Sequence, residues 1–226
     1  GLGNDETPLR DLTDVIDAAR SDARIQALVL DFDAMSGGGQ PTLDEFARAV
    51  DAFRKSGKKV IARGTGFTRD TYYVAAHADE IYVEPLGFVM LEGYDRYRMY
   101  FKGAFDKFGV DMNVFRVGAY KSAVEPYVRQ DMSEQDREES VAYLGSLWNT
   151  YLESVAKARG LKADDLRTRV ASLADDVEAA AGDTSKVALQ SKLVTGIKSS
   201  IEVEARVAEL VGEDEEKGTY NAVQFA

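Results

Sequence analysis

Lys121 falls just past the strand-like run Met112–Val117 and after Gly118. In parallel α/β sheets, sites are built at the carboxyl ends of the strands. If a helix starts at this point, the positive end of its dipole and partial burial both disfavour the ammonium form and bring the amine toward a usable base. A neutral lysine can deprotonate a serine hydroxyl. A solvated lysine is the commoner case, and residue types alone leave both readings open. The other candidates offer less. His77 is the single histidine, it lies between Ala76 and Ala78, and with no second imidazole it reads as structural or surface. Gly64-Thr65-Gly66 begins like a dinucleotide fingerprint, but Arg69 stands at the third glycine position and no helix opens directly on the loop. Ser36-Gly37-Gly38-Gly39 either exposes backbone amides to an oxyanion or simply connects two elements, and without a nearby nucleophile the connection is the better reading.

The elements that must position these residues alternate over the first half. Pro8–Ala19 places Leu9, Leu12, Val15, Ile16 and Ala19 on one helical face. Ile25–Phe32 is nearly continuous apolar sequence of strand length, as expected for a strand covered on both faces. After the glycine-rich loop, Thr42-Leu43-Asp44-Glu45 fits a capping box opening a helix that Gly57 closes. Lys59–Arg63 is the next strand, Arg69–Ala78 a short helix and Glu80–Val83 a third strand, followed by the apolar Phe88–Leu91. Repeated strand-helix-strand units imply a mostly parallel sheet with right-handed crossovers. A helix over about Tyr97–Phe108, the strand Met112–Val117 and a long helix from the N-cap Ser133 to Gly160 follow, so the second half is mainly helical. Tyr72, Tyr73, Tyr94, Tyr97 and Tyr100 read as core or interface packing. Glu213–Lys217 reads as a solvated turn.

Composition narrows the function. The 226 residues carry 28 Lys+Arg against 39 Asp+Glu, a formal charge of −11, which argues against a phosphate-backbone binding surface; no nucleic acid partner is expected. The absence of cysteine excludes disulfides, thiolate zinc sites and a cysteine nucleophile, and leaves the redox compartment open. No uninterrupted apolar run exceeds Tyr72–Ala76, so nothing here reads as a membrane span or a signal-peptide core. The chain opens on Gly1-Leu2-Gly3-Asn4 rather than Met, which suggests a processed or trimmed product.

The segment from Phe115 through Gly118-Ala119-Tyr120-Lys121-Ser122-Ala123-Val124-Glu125-Pro126 to Tyr127 resembles the hallmark stretch of the signal peptide peptidase A family, in its long form with two homologous halves. Asp131-Met132-Ser133, the Leu147–Tyr151 stretch, Ala188–Val194, Leu28–Phe32 with its glycine-rich loop and Lys58–Ala62 are also similar. The resemblance spans nearly the whole chain and covers the amino-terminal half of that family's polypeptide. It implies an α/β fold of the crotonase-like (Clp-protease-like) kind, with residues 1–226 forming one amino-terminal domain: an α/β core to about 132 and a mainly helical extension over about 133–226.

The resemblance further implies a Ser-Lys peptidase that degrades leftover signal peptides at the periplasmic face of the bacterial inner membrane, held there by an upstream anchor. Lys121 would be the general base. The nucleophilic serine would belong to the carboxy-terminal half, in a Ser-Gly-Gly-Tyr context. The equivalent place before Tyr72-Tyr73 holds Arg69, so this half lacks its own nucleophile and the chain alone is expected to be inactive. Ser122, a chain neighbour of Lys121, points away from it and reads as structural. Glu125 and Pro126 suggest positioning. Expected partners are the carboxy-terminal half, further copies in a homo-oligomer (a tetramer by resemblance) and signal peptides, with no cofactor and no metal. Tyr94–Phe108 and the Ala142–Val155 helix are candidate contact surfaces. Two alternatives remain: a non-catalytic assembly module, and a crotonase-type acyl-CoA enzyme, against which the Tyr-Lys-Ser-Ala-Val-Glu-Pro stretch argues.

Overall fold

The structure, a computed structural model, describes residues 7–114 and 122–223. Its elements in order are α1 (Leu9–Ser21), β1 (Ala27–Asp31), α2 (Gln40–Lys55), β2 (Lys59–Phe67), α3 (Arg69–Ala75), β3 (Glu80–Val89), α4 (Lys102–Phe108), α5 (Glu125–Val128), α6 (Glu134–Arg159), α7 (Ala163–Ala171), α8 (Leu173–Ala179), α9 (Thr184–Gln190), β4 (Gly196–Ile197), α10 (Ser200–Val211), β5 (Glu213–Asp214) and β6 (Thr219–Tyr220). Packing divides them into two compact units, Gly1–Glu92 with Leu152–Ala226, and Gly93–Tyr151.

The first unit is built on a four-stranded sheet of order β1-β2-β3-β4, parallel throughout. Val60, Ile61 and Ala62 are consecutive and all fully buried, which requires cover on both faces of the sheet. Val203 and Val207 of α10 join Ile61 and Tyr82 in one cluster, while α2 and α3 both pack against β2. The amphipathic α1 buries Ile16 and Ala19 and packs on α2. Its last carbonyls are met by the Lys58 ammonium, which donates to Ala19 O at 2.8 Å and Asp22 O at 2.7 Å. The helical second half and the parallel sheet are as the sequence implies.

Several boundaries differ, each for a local reason. The helix expected to start on a Thr42 cap begins instead at Gln40: Gly39 is the cap residue, no side chain caps the turn, and Pro41, whose missing N–H costs nothing there, occupies the first turn. The Thr42–Glu45 box is therefore not the helix start. Gly64-Thr65-Gly66 lies within β2, paired with β3 across a register shift, which leaves no phosphate loop. The third strand runs on to Val89 and absorbs the first half of the apolar Phe88–Leu91 run. Gly87 is needed there, because a Cβ would fall 2.1 Å from the Thr65 carbonyl oxygen.

In the second unit, the expected helix over Tyr97–Phe108 is confined to Lys102–Phe108. Arg96 and Arg98 both reach Asp136, so the residues before Phe101 follow a two-residue rather than a 3.6-residue repeat. No strand forms over the described residues 112–114, and the rest of Met112–Val117 lies outside the described residues. Gly160 ends α6 with φ +64°, and Gly57 closes the turn after α2 with φ +87°. Among the described residues no helix is long and apolar enough to cross a membrane.

Candidate active site

Lys121 lies outside the described residues; the chain that follows it is held by a buried polar network. Ser122–Val124 form a single 3-10 turn that leads into α5, whose first residues are Glu125 and Pro126. Glu125 is 1% exposed. Its carboxylate accepts from the Ser133 amide at 3.1 Å and from the Ser133 hydroxyl at 2.5 Å. The same hydroxyl accepts from the Asp136 amide at 3.1 Å, as an N-cap does.

In an ordinary capping box the residue at the third helical position reaches back to the cap residue's amide. Here Glu125 takes that amide from outside the helix, and the Asp136 side chain is released for another task. Its fully buried carboxylate accepts from Arg96 Nη1 at 3.1 Å and from Arg98 Nη1 at 3.3 Å. Arg96 Nη1 also donates to Ser140 Oγ, one turn further along α6, at 2.7 Å. Arg98 Nη1 also donates to the Ser122 carbonyl at 3.0 Å.

Two buried carboxylates thus sit at the amino end of a 26-residue helix, whose dipole favours them, and two guanidinium groups pair with that of Asp136. The Phe101 amide donates to the Pro126 carbonyl at 2.6 Å, and the Phe101 and Phe105 rings each stack on Tyr127. The backbone from Ser122 to Tyr127 is therefore fixed by hydrogen bonds and ring packing. Ser122 enters the network through its carbonyl.

The place where the sequence leaves a nucleophile missing is well defined in the first unit. Thr68 and Thr71 cap α3 reciprocally, with the Thr68 amide donating to Thr71 Oγ1 at 2.9 Å, so the Thr71 hydroxyl is engaged locally. Arg69 follows the cap, and its Nε donates to Asp70 Oδ1 at 2.9 Å. Gly37, at φ +126°, lies against that pair: a Cβ there would fall 2.8 Å from Asp70 Oδ2. The glycine-rich loop therefore backs onto an ion pair rather than onto a serine or threonine hydroxyl. No hydroxyl at the Arg69 position can attack a carbonyl.

His77 places Nδ1 3.0 Å from Asp51 Oδ2 and is mostly buried, in agreement with a structural role. Among the described residues no group of His, Asp and Glu could hold a metal ion. Elsewhere in the first unit, Arg206 hydrogen-bonds Glu80 at 2.8 and 3.0 Å, and this pairing holds the Glu80 carboxyl below its usual range. Burial, and then the Glu80 carboxylate, push the neighbouring Tyr82 phenol up to about 12.

Sequence reasoning reached Glu125, as a positioning residue, and Ser133, as an N-cap, but not Asp136, Arg96 or Arg98. The Ser133-x-x-Asp136 spacing is a helix-start signal that could have flagged the aspartate. Nothing local marks the two arginines, whose partner is 38 to 40 residues away.

Comparison with known proteins bears on this arrangement. Residues 52–213 match peptidase family S49. Protease 4 of Salmonella typhi is 36% identical over 220 residues, which is 97% of this chain and 36% of that protein. Protease 4 of Haemophilus influenzae is 34% identical over 215 residues, 95% of this chain and 35% of that protein. Serine protease SPPA, chloroplastic, of Arabidopsis thaliana is 27% identical over 82% of this chain. The chain thus spans about a third of the length of these relatives. Among solved structures, an enoyl-CoA hydratase from Mycobacterium avium subsp. paratuberculosis aligns over 96% of this chain and 87% of its own, at 16% identity and a TM-score of 0.31, too loose an overlap to carry weight.

Proposed function

The chain belongs to peptidase family S49, and from that premise we propose that it is the amino-terminal, crotonase-like half of a membrane-associated Ser-Lys peptidase that degrades cleaved signal peptides. In this reading Lys121 is the general base and the nucleophilic serine lies in the carboxy-terminal half. The observation that carries the proposal is the anchoring of the residues directly after Lys121, through the buried Glu125–Ser133 pair and the Arg98 bond to the Ser122 carbonyl. A base must be held within hydrogen-bond reach of the proton it removes, and a fixed chain on one side of it serves that need. The Arg69–Asp70 pair supports a nucleophile supplied from elsewhere.

In the proposed reaction the neutral Lys121 amine takes the serine hydroxyl proton as that oxygen attacks the peptide carbonyl carbon. The tetrahedral intermediate collapses to an acyl-serine and the amine product leaves with the proton. Water, deprotonated by the same amine, then releases the acid and restores the serine. The working form is a homo-oligomer, a tetramer, at the periplasmic face of the bacterial inner membrane. A second reading, a non-catalytic assembly module, is favoured by the exposure of Tyr97, Met99, Phe108, Val141 and Tyr143 in the second unit.

A fluorophosphonate probe decides between the two. Treatment of the intact polypeptide that contains this chain, followed by peptide mapping, should place the label on one serine outside residues 1–226. Label on a serine within residues 1–226 overturns the divided dyad, and no label at any serine favours the assembly module.

A further inference from the structure

The geometry points to Asp136, acting through Arg98, as a positioning residue for the peptidase reaction; this rests on the reading of Lys121 as base. Asp136 is a costly residue to keep: a fully buried carboxylate is tolerated only when its charge is paired and its lone pairs are satisfied. Its position on α6 does not demand a charge, because the N-cap is completed by Ser133 and Glu125 without the Asp136 side chain. What the carboxylate does is hold two guanidinium groups. One of them, Arg98, donates from the same Nη1 to the carbonyl of Ser122, the residue joined to Lys121 by a peptide bond.

The chain from Ser122 onward is consequently fixed twice: at the Ser122 carbonyl by Arg98, and three residues on through Glu125. Both fixings converge on the first turn of α6, at Ser133 and Asp136. That turn opens a 26-residue helix, and Ser133, Asp136 and Ser140 along it are all buried. Asp136 touches no reacting atom. Its effect is on the placement of the residue before Ser122, and a displacement of about 1 Å at a reacting group is enough to lower a rate about 100-fold.

The test uses the intact polypeptide that contains this chain, with a chromogenic apolar peptide as substrate. Asp136→Asn keeps the size of the side chain but turns one of the two acceptors into a donor facing a guanidinium. Arg98→Met keeps the stem of a partly exposed residue and removes the bond to Ser122, so it remains informative if Asp136→Asn fails to fold. Arg98→Lys is the conservative rescue. The expected result is a fall in kcat of about 100-fold in Arg98→Met, and in Asp136→Asn if folded, with KM within about twofold and a near-native melting curve, and recovery of most of kcat in Arg98→Lys. A kcat within about threefold of the native value in Arg98→Met, or a loss that appears in KM alone or merely tracks the unfolded fraction, overturns the inference. Lys121→Ala separates the two ideas: if it is inactive while Arg98→Met and Asp136→Asn are native-like, only the positioning role fails, whereas if it retains turnover, the reading beneath both fails.

Discussion

Replacing Glu125 by Gln removes one charge and leaves the shape of the side chain unchanged. The native carboxylate accepts two hydrogen bonds from Ser133, at 3.1 and 2.5 Å, in a site that is 1% exposed. A hydrogen bond to a charged group contributes about 1.5–3 kcal/mol, and leaving a buried donor unpaired costs about 1–3 kcal/mol. Gln offers one acceptor oxygen where Glu offers two, so one bond weakens to a neutral one and the other is lost. The favourable term of an anion at the start of α6, about 0.3–1 kcal/mol, disappears as well. Together these give a loss of about 3 kcal/mol. For a chain of this size the melting midpoint moves by about 2–4 °C per kcal/mol, so a drop of about 6–12 °C is expected. Urea unfolding followed by circular dichroism measures the first quantity, and amide exchange at Ser133 to Arg137 reports whether the helix start is what loosened. A change below about 0.5 kcal/mol, with native protection of those amides, would refute the claim that Glu125 organises this turn.

Other substitutions probe the frame. Gly87→Ala would bring a Cβ to 2.1 Å from the Thr65 carbonyl oxygen and 2.6 Å from Val83, backbone and packed side chain that cannot swing away, and should cost about 3 kcal/mol or more in urea unfolding. Gly145→Ala, in the middle of α6 with nothing within 4 Å of the new methyl, should stabilise by about 0.5–1 kcal/mol in the same assay. The Glu80–Tyr82–Arg206 cluster sets two edges of the stability profile. The folded pKa of Glu80 is lowered, so its contribution is present above the unfolded value and is lost as pH falls through the folded one; Glu80→Gln should flatten the acid limb. The folded pKa of Tyr82 is raised from 10.0 to about 12, so its contribution is present below 10 and is lost as pH rises between those values; Tyr82→Phe should flatten the alkaline limb, and melting temperatures across the pH range read both.

The first unit was largely legible because its signals are local. Val60-Ile61-Ala62 announces a strand covered on both sides, and the Leu9 to Ala19 stripe announces the helix that packs beside the sheet. Boundaries differ where one local signal outweighs another: the Thr42–Glu45 box lies inside a helix that begins at Gln40, with Gly39 as cap residue and Pro41 in the first turn. The two-residue β4 carries no periodic signal at all and exists because β3 offers it an edge. In the second unit, apolar residues between Tyr97 and Phe108 imitate a helix, but the Arg96 and Arg98 bonds to Asp136 hold the first part of that stretch out of one. The candidate site divides in the same way. Glu125 was visible through the stretch it belongs to, while the arginine pair depends on a sequence separation of about 40 residues, which no local pattern encodes.

The central claim is that Lys121 is the base of a divided dyad, and the most direct measurement is steady-state peptide turnover by Lys121→Ala and Lys121→Arg in the intact polypeptide that contains this chain. An amine that must be neutral to act cannot be replaced by a guanidinium that stays charged, so both variants should lose turnover by about 100-fold or more, the lower end of what a general base contributes, while melting as the native protein does. Native-like turnover in either variant would contradict the account.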